Sequence, residues 1–373
     1  MKNILISTIY CVVLLLSFTP IRTIGCTSWM VFSDLTKNNT HILHKNRDSI
    51  GRKISVAISP ASSPRKWVAL WSGGTNSGIN SSGLAATMNS GEICIDPPNI
   101  KGKKTTAGIV NAILESCDSA EQAVLLLRKF ISNGNYYHGK SGSIFFFLDS
   151  KEGYICEVTS KVCSAQRYDT GYVVRASNWR NPNMTKYVRS DIERYLKASA
   201  REYIAFTGLN KMLDEQGKIS LPEIFNLSRH IQMPEKSPLK RSICGITTNS
   251  TASFEIDKQY PDILSTAYFT IGPPRHTVYV PIPVCVEKIP SIMKNQKWSV
   301  MAFNRLDKLK LDSPLPEEWL KFEQNSITLY SKAKDKARQL LKENKQKEAV
   351  KLLNFTAKKI WNEAAKVLKI RYN

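Results

Sequence analysis

The chain has 373 residues, 42% hydrophobic and 23% charged, a composition that can bury a core and that excludes a disordered or fibrous protein. Its 53 Lys and Arg outnumber 31 Asp and Glu, giving a formal net charge of +22. The basic residues are spread along the chain, without zinc-ligand spacing, a basic zipper or an RNA-stacking motif. They read as a basic surface suited to anionic envelopes or acidic substrates, not as a nucleic-acid site.

Residues 1–25 open with Lys2, run apolar from 4 to 18 and end around Pro20, Arg22 and Thr23. About 15 apolar residues are short for a membrane span but suit a secretory signal peptide. The expected mature protein is secreted, periplasmic or on the cell surface, begins at Cys26 and has no integral membrane span after processing.

From Cys26 onward the pattern predicts strands. Residues 27–32 and 41–46 form a hairpin around a polar turn at 37–40, and 53–58, 67–71 and 83–89 follow, with a Gly/Ser/Asn-rich loop at 72–82. Helices are expected at 105–117 and at 119–130, the latter capped by Ser119 and apolar at Ala123, Leu126 and Leu127. Strands return at 143–149, 153–159, 165–168 and 172–176. A helix is expected over 186–214, and another over 220–229, where Ser220 and Glu223 form a capping-box pattern. The last strands fall at 242–247, 252–257, 265–270 and 277–281.

After Pro290 the character changes. Residues 315–343 and 347–368 have helical spacing, with a break at Asn344 and Lys345. In the second, Ala349, Leu352, Leu353, Thr356, Ile360 and Ala364 share one side. From residue 316 onward the chain holds 14 Lys/Arg against 7 Asp/Glu. The expected organisation is a signal peptide (1–25), a main domain (26–290) and a basic helical extension packed on it (291–373). Strands, then helices, then strands again predict an α+β fold, a layered αββα sandwich. There is no phosphate loop or dinucleotide fingerprint, and no His/Cys/Asp cluster has metal-ligand spacing, so no cofactor is expected.

Of eight cysteines, Cys11 leaves with the signal peptide. Beyond Cys26, the six at Cys94, Cys117, Cys156, Cys163, Cys244 and Cys285 allow 15 full pairings. Cys156 and Cys163 stand where a hairpin would face them; buried free thiols fit equally well.

A cysteine at a new N-terminus has its own α-amine a few atoms from its sulfur. That amine has a pKa of about 7.7–8.0, which suits a general base near neutral pH. One residue can then serve as both nucleophile and base, and no histidine is needed. Cys26-Thr27-Ser28, followed by Lys45-Asn46-Arg47-Asp48, resembles the start of the choloylglycine hydrolase and penicillin acyltransferase superfamily. It is similar above all to the acyl-coenzyme A:6-aminopenicillanic acid acyltransferase-like peptidases. Three further stretches fit in order: Asn80-Ser81-Ser82-Gly83-Leu84 through Asn89, the strand with Glu157, and Ala176-Ser177-Asn178.

The resemblance implies an N-terminal-nucleophile hydrolase that cleaves linear amide bonds of N-acyl substrates or short peptides, or transfers the acyl group to an amine. It implies that Cys26 is nucleophile and base and that Asp48 holds its amine or thiol. It further implies that Asn89 and Asn178 serve the oxyanion or position substrate. Lys45 and Arg47 are candidate substrate contacts, and Arg47 reads equally well as part of a structural ion pair. Bile-salt hydrolases carry an arginine where this chain has Lys45, and an arginine after a Ser-rich strand that residues 249–256 do not offer. His138 is expected on a surface loop. The same cysteine admits a rival reading, because Thr23-Ile24-Gly25-Cys26 also resembles a bacterial lipidation signal. A lipidated Cys26 would make the chain a surface lipoprotein with a binding role.

Overall fold

The computed structural model describes residues 25–189, 192–231, 242–309 and 311–370. Apart from Gly25, the expected signal peptide lies outside them. The chain begins with strands β1 (Thr27–Val31), β2 (His41–Asp48), β3 (Ser55–Ile58), β4 (Trp67–Trp71), β5 (Thr75–Asn80) and β6 (Ala85–Ile93). Helices α1 (Thr106–Ser116) and α2 (Ala120–Ser132) precede β7 (Ser141–Leu148), β8 (Gly153–Val158), β9 (Cys163–Tyr168) and β10 (Tyr172–Arg175). Then come α3 (Pro182–Thr185), α4 (Ile192–Gln216), α5 (Leu221–Ser228), β11 (Thr248–Ile256), α6 (Pro261–Leu264), β12 (Thr266–Thr270) and β13 (Val280–Pro283). The chain closes with α7 (Ser291–Lys294), α8 (Lys297–Lys308), α9 (Glu317–Lys342) and α10 (Gln346–Val367).

The fold is α+β, with two antiparallel sheets. One has the order β10-β1-β2-β11-β12-β13, and the other is a meander from β3 to β9. The run Ile144-Phe145-Phe146-Phe147-Leu148 explains how β7 sits. Side chains alternate across a strand, so a continuous apolar run needs cover on both faces. Ile144, Phe146 and Leu148 join the core between the sheets. Phe145 and Phe147 join a second core with Ile109, Ile113 and Leu127 of α1 and α2. Ser119 caps its helix as the sequence predicts, its Oγ accepting from Gln122 N at 3.2 Å; Thr105, expected as the first residue of its helix, is instead its cap, with Oγ1 accepting from Gly108 N at 3.1 Å.

The C-terminal helices cover the six-stranded sheet from outside. Helix α10 buries Ala349, Leu353, Ala357, Ile360 and Ala364 in the same core as β11 to β13. Trp361 Nε1 donates to Pro281 O at 2.7 Å. Glu323 of α9 accepts from both Arg229 guanidinium nitrogens at 2.7 and 2.6 Å, and from Tyr279 N at 2.7 Å. Lys334 pairs with Glu255 at 2.8 Å, and Arg338 pairs with Asp257. Removing one member of such a buried pair typically costs about 3–5 kcal/mol, because the other charge is left uncompensated. Asn344 takes a left-handed backbone (φ 59°) where α9 gives way to α10, a conformation asparagine adopts readily. Among the described residues, no helix is long and apolar enough to cross a membrane.

Several elements differ from expectation. The loop expected at 72–82 contains β5, because its turn-like residues are used in packing. Asn80 Nδ2 donates to Leu114 O and Cys117 O at 3.0 and 2.8 Å, and a Cβ at Gly78 would lie 2.8 Å from Ala69 Cβ. Residues 242–247 are irregular, and β11 starts only at Thr248; β13 is likewise shifted to Val280–Pro283. The helix expected from 186 begins at Ile192, after the separate turn α3 that Pro182 starts. Helix α8 has no counterpart in the sequence pattern. It begins after Gln296, whose φ of 67° turns the chain sharply without a side-chain cap. Every described cysteine is a free thiol. Cys156 and Cys163 sit on adjacent strands but off register, opposite Ala165 and Val158 respectively.

Candidate active site

Residue parity on β1 and β2 builds the site. Ser28 Oγ donates to Asn89 Oδ1 at 2.9 Å, so Ser28 faces the seven-stranded sheet, and Cys26, two residues earlier, has the same parity. On β2, Lys45 lies opposite Ser28 and its buried ammonium donates to Met88 O, across the space between the sheets. Arg47 follows with the same parity. Asn46 points the other way, donating to Ser228 O at 2.7 Å and Ile243 O at 3.3 Å. Cys26, Ser28, Lys45 and Arg47 therefore gather at one end of the layer between the sheets.

Cys26 is 7% exposed, and its thiol points at the main-chain oxygen of Asp48, 4.0 Å away. Asp48 Oδ1 accepts from Thr248 Oγ1 at 2.6 Å, and that hydroxyl in turn accepts from Gly245 N at 2.8 Å. The irregular loop before β11 thus holds the carboxylate in place. Arg47 Nη1 is buried without a hydrogen-bond partner among the described residues. Burial lowers the Lys45 ammonium to about 8; the neighbouring Arg47 adds to the fall, while Cys26 and Asp48 oppose it. Burial also lowers Arg47, against the pull of Cys26 and Asp48.

The two amides are placed differently from each other. Asn89 ties β1 to the end of β10: besides accepting from Ser28, its Nδ2 donates to Arg175 O and Ala176 O at 3.2 and 3.1 Å. Asn178 turns to α4, where its Nδ2 donates to Tyr195 O at 3.1 Å and Ser199 Oγ at 2.8 Å; its Oδ1 is buried and unpartnered. Both amide donors are engaged, so either could serve an oxyanion only by exchanging these bonds. Glu157 anchors the loop after β10, accepting from Arg180 N and Asn181 N at 2.6 and 3.0 Å. Trp179 in that loop lies against Gly91 and Gly142, where a Cβ would stand 2.6 Å from its Nε1 at Gly91.

Sequence reasoning missed Thr248, which carries no motif of its own, and assigned no role to Ser177, although it lies within the Ala176-Ser177-Asn178 stretch, or to Arg201, which sits within an unremarkable helical pattern. His138, expected on the surface, is half-buried with Nε2 3.0 Å from Ser90 Oγ, and burial holds it at about 4. Among the described residues, no cluster of three or more His, Cys, Asp or Glu side chains is placed to hold a metal ion.

No family model and no curated protein matches the chain. Among solved structures it is similar to a mutant of the conjugated bile acid hydrolase from Clostridium perfringens. That pair is 11% identical, with a TM-score of 0.46, over 70% of this chain and 93% of the other. It is also similar to penicillin V acylase from Agrobacterium tumefaciens, 15% identical with a TM-score of 0.46, over 69% of this chain and 86% of the other.

Proposed function

We propose that this protein is a secreted N-terminal-nucleophile hydrolase that cleaves the linear C–N amide bond of an N-acyl substrate through a thioester on Cys26. The observation that carries this reading is the shared parity of Cys26, Lys45 and Arg47, which gathers a thiol, a buried ammonium and a half-buried guanidinium at one end of the inter-sheet layer. The order helices, sheet, sheet, helices is the layering expected of such a sandwich.

Removal of residues 1–25 leaves Cys26 with a free α-amine. The amine accepts the thiol proton and the thiolate attacks the substrate carbonyl carbon. The C–N bond then breaks as the amine returns that proton to the leaving nitrogen. Water, deprotonated by the same amine, attacks the thioester, and the C–S bond breaks to release the acid and restore the thiol. Lys45 and Arg47 supply positive charge to the thiolate and to an anionic substrate; Asp48, held by Thr248, orients the amine. Asn89 and Asn178 are the amides nearest in sequence motif to an oxyanion role. Acyl transfer to a second amine resolves the same thioester.

Intact mass of the exported protein, followed by assay on a panel of N-acyl amides, tests the reading. A bare Cys26 and release of free amine are expected. A lipidated Cys26 would instead make the chain a surface lipoprotein with a binding role, and a start elsewhere removes the mechanism. The state of Lys45 gives a further expectation. Its proton is lost above about pH 8, so kcat/KM should fall on the alkaline side with that apparent pKa. Lys45→Arg, which keeps its charge, should abolish this limb. The same alkaline limb in both proteins would remove Lys45 from the mechanism.

A further inference from the structure

Gly25 is held tightly against the fold. A Cβ there would overlap the Arg201 guanidinium, lying 2.9 Å from Arg201 Cζ, and would stand 3.1 Å from Ser177 Oγ. Both side chains are buried, Arg201 at 3% and Ser177 at 2% exposure. Arg201 Nε donates to Thr27 Oγ1 at 3.2 Å, so the guanidinium spans Cys26 from the residue before it to the residue after. The Ser177 hydroxyl has no hydrogen-bond partner among the described residues, although burying such a group unpaired costs about 1–3 kcal/mol. A partner that arrives only after processing would resolve this.

We infer that Ser177 and Arg201 form the seat of the Cys26 α-amine: the hydroxyl hydrogen-bonds the freed nitrogen, and the adjacent guanidinium disfavours its ammonium form. The inference rests on the proposed removal of residues 1–25 and assigns both side chains as positioning residues. The charged groups around that end are Lys45, Arg47 and Asp48 on β2, and Arg201 and Glu202 on α4. Glu202 is occupied, accepting from Ala176 N at 2.9 Å and from Arg180. Arg175, ending β10, donates to Val174 O and Tyr168 OH. Cations therefore outweigh Asp48, and a like charge lowers the pKa of an amine. The amine is kept as free base, the form that accepts the thiol proton.

The test uses exported protein whose mass shows Cys26 first. The α-amine is titrated by the pH dependence of its acetylation, read on the N-terminal peptide, a measurement that needs no turnover. In the wild type it should titrate about one unit below the ordinary 7.7–8.0. Arg201→Gln should return it to that range and move the acidic limb of kcat/KM up by the same amount, whereas Arg201→Lys should leave both in place. Ser177→Ala should lower kcat several-fold with little change in KM. An ordinary amine pKa in the wild type overturns the inference whether or not Arg201→Gln folds. A mature chain that does not begin at Cys26 defeats the functional proposal instead, so the two failures are separable.

Discussion

Cys26→Ala should lower kcat/KM on any N-acyl amide the protein cleaves by a factor on the order of 10⁴ or more, because no other group in the proposed site can form the thioester. The substitution removes one sulfur at the end of a strand whose other residues remain packed, so circular dichroism and thermal melting should match the wild type. Loss of turnover with an intact fold is the diagnostic pair. Turnover equal to the wild type in a folded Cys26→Ala protein would end the assignment. The exported variant also reports on processing. A mature variant that starts at position 26 shows that signal peptidase frees the terminus, whereas accumulation of species retaining Gly25 points to cleavage by Cys26 itself.

The second large effect is on stability. His41, His44 and His276 are buried, and burial lowers them to about 4, 3 and 4. Their contacts agree with neutral rings. His41 Nδ1 accepts from Ser33 N at 3.0 Å, which an imidazolium cannot do. His44 lies between Ser253 Oγ at 2.6 Å and Asn46 Oδ1 at 2.8 Å and stacks on Trp29, an arrangement in which Nε2 donates to the amide oxygen and Nδ1 accepts from the hydroxyl. In the unfolded chain each histidine titrates near 6.5.

Below that pH the unfolded state binds more protons than the folded one, so stability is present in full above about 6.5 and is lost as pH falls towards 4. Each histidine contributes a slope of about 1.4 kcal/mol per pH unit, and three together about 4 kcal/mol per unit. Against a typical total of about 5–15 kcal/mol, the fold should be lost between about pH 6 and 4. Urea midpoints measured from pH 7.5 down to 4.5 check this; a midpoint that stays constant over that range would show that these rings are not held neutral.

The fold was legible where local chemistry and tertiary structure agree. Ser119 is both a cap signal and a cap, the Phe run of β7 is both apolar and doubly covered, and the stripe on α10 meets the core. It was illegible where tertiary structure overrides local preference. The Asn, Ser and Gly of β5 look like a turn and become a strand because neighbouring strands and α1 use their small size and amide groups. At the candidate site, the sequence pointed to Cys26 and the Lys45–Asp48 stretch because they carry the residue types the expected chemistry needs, and the structure brings them to one end of the layer between the sheets. Thr248 and Arg201 gain their meaning only from where β11 and α4 bring them, and no spacing in the sequence records that; Ser177 lies inside a motif whose sequence reading fell on its neighbour Asn178.

The last helices have a consequence for how the molecule is made. Leu353, Ile360 and Trp361 fill a core shared with strands β11 to β13, and Glu323 neutralises an arginine that precedes β11. Until synthesis has delivered these residues, the six-stranded sheet has one bare apolar face and Arg229 has no counterion. The core over β11 to β13 thus closes only when the last helices arrive, and truncation within α10 would remove Leu353, Ile360 and Trp361 from it.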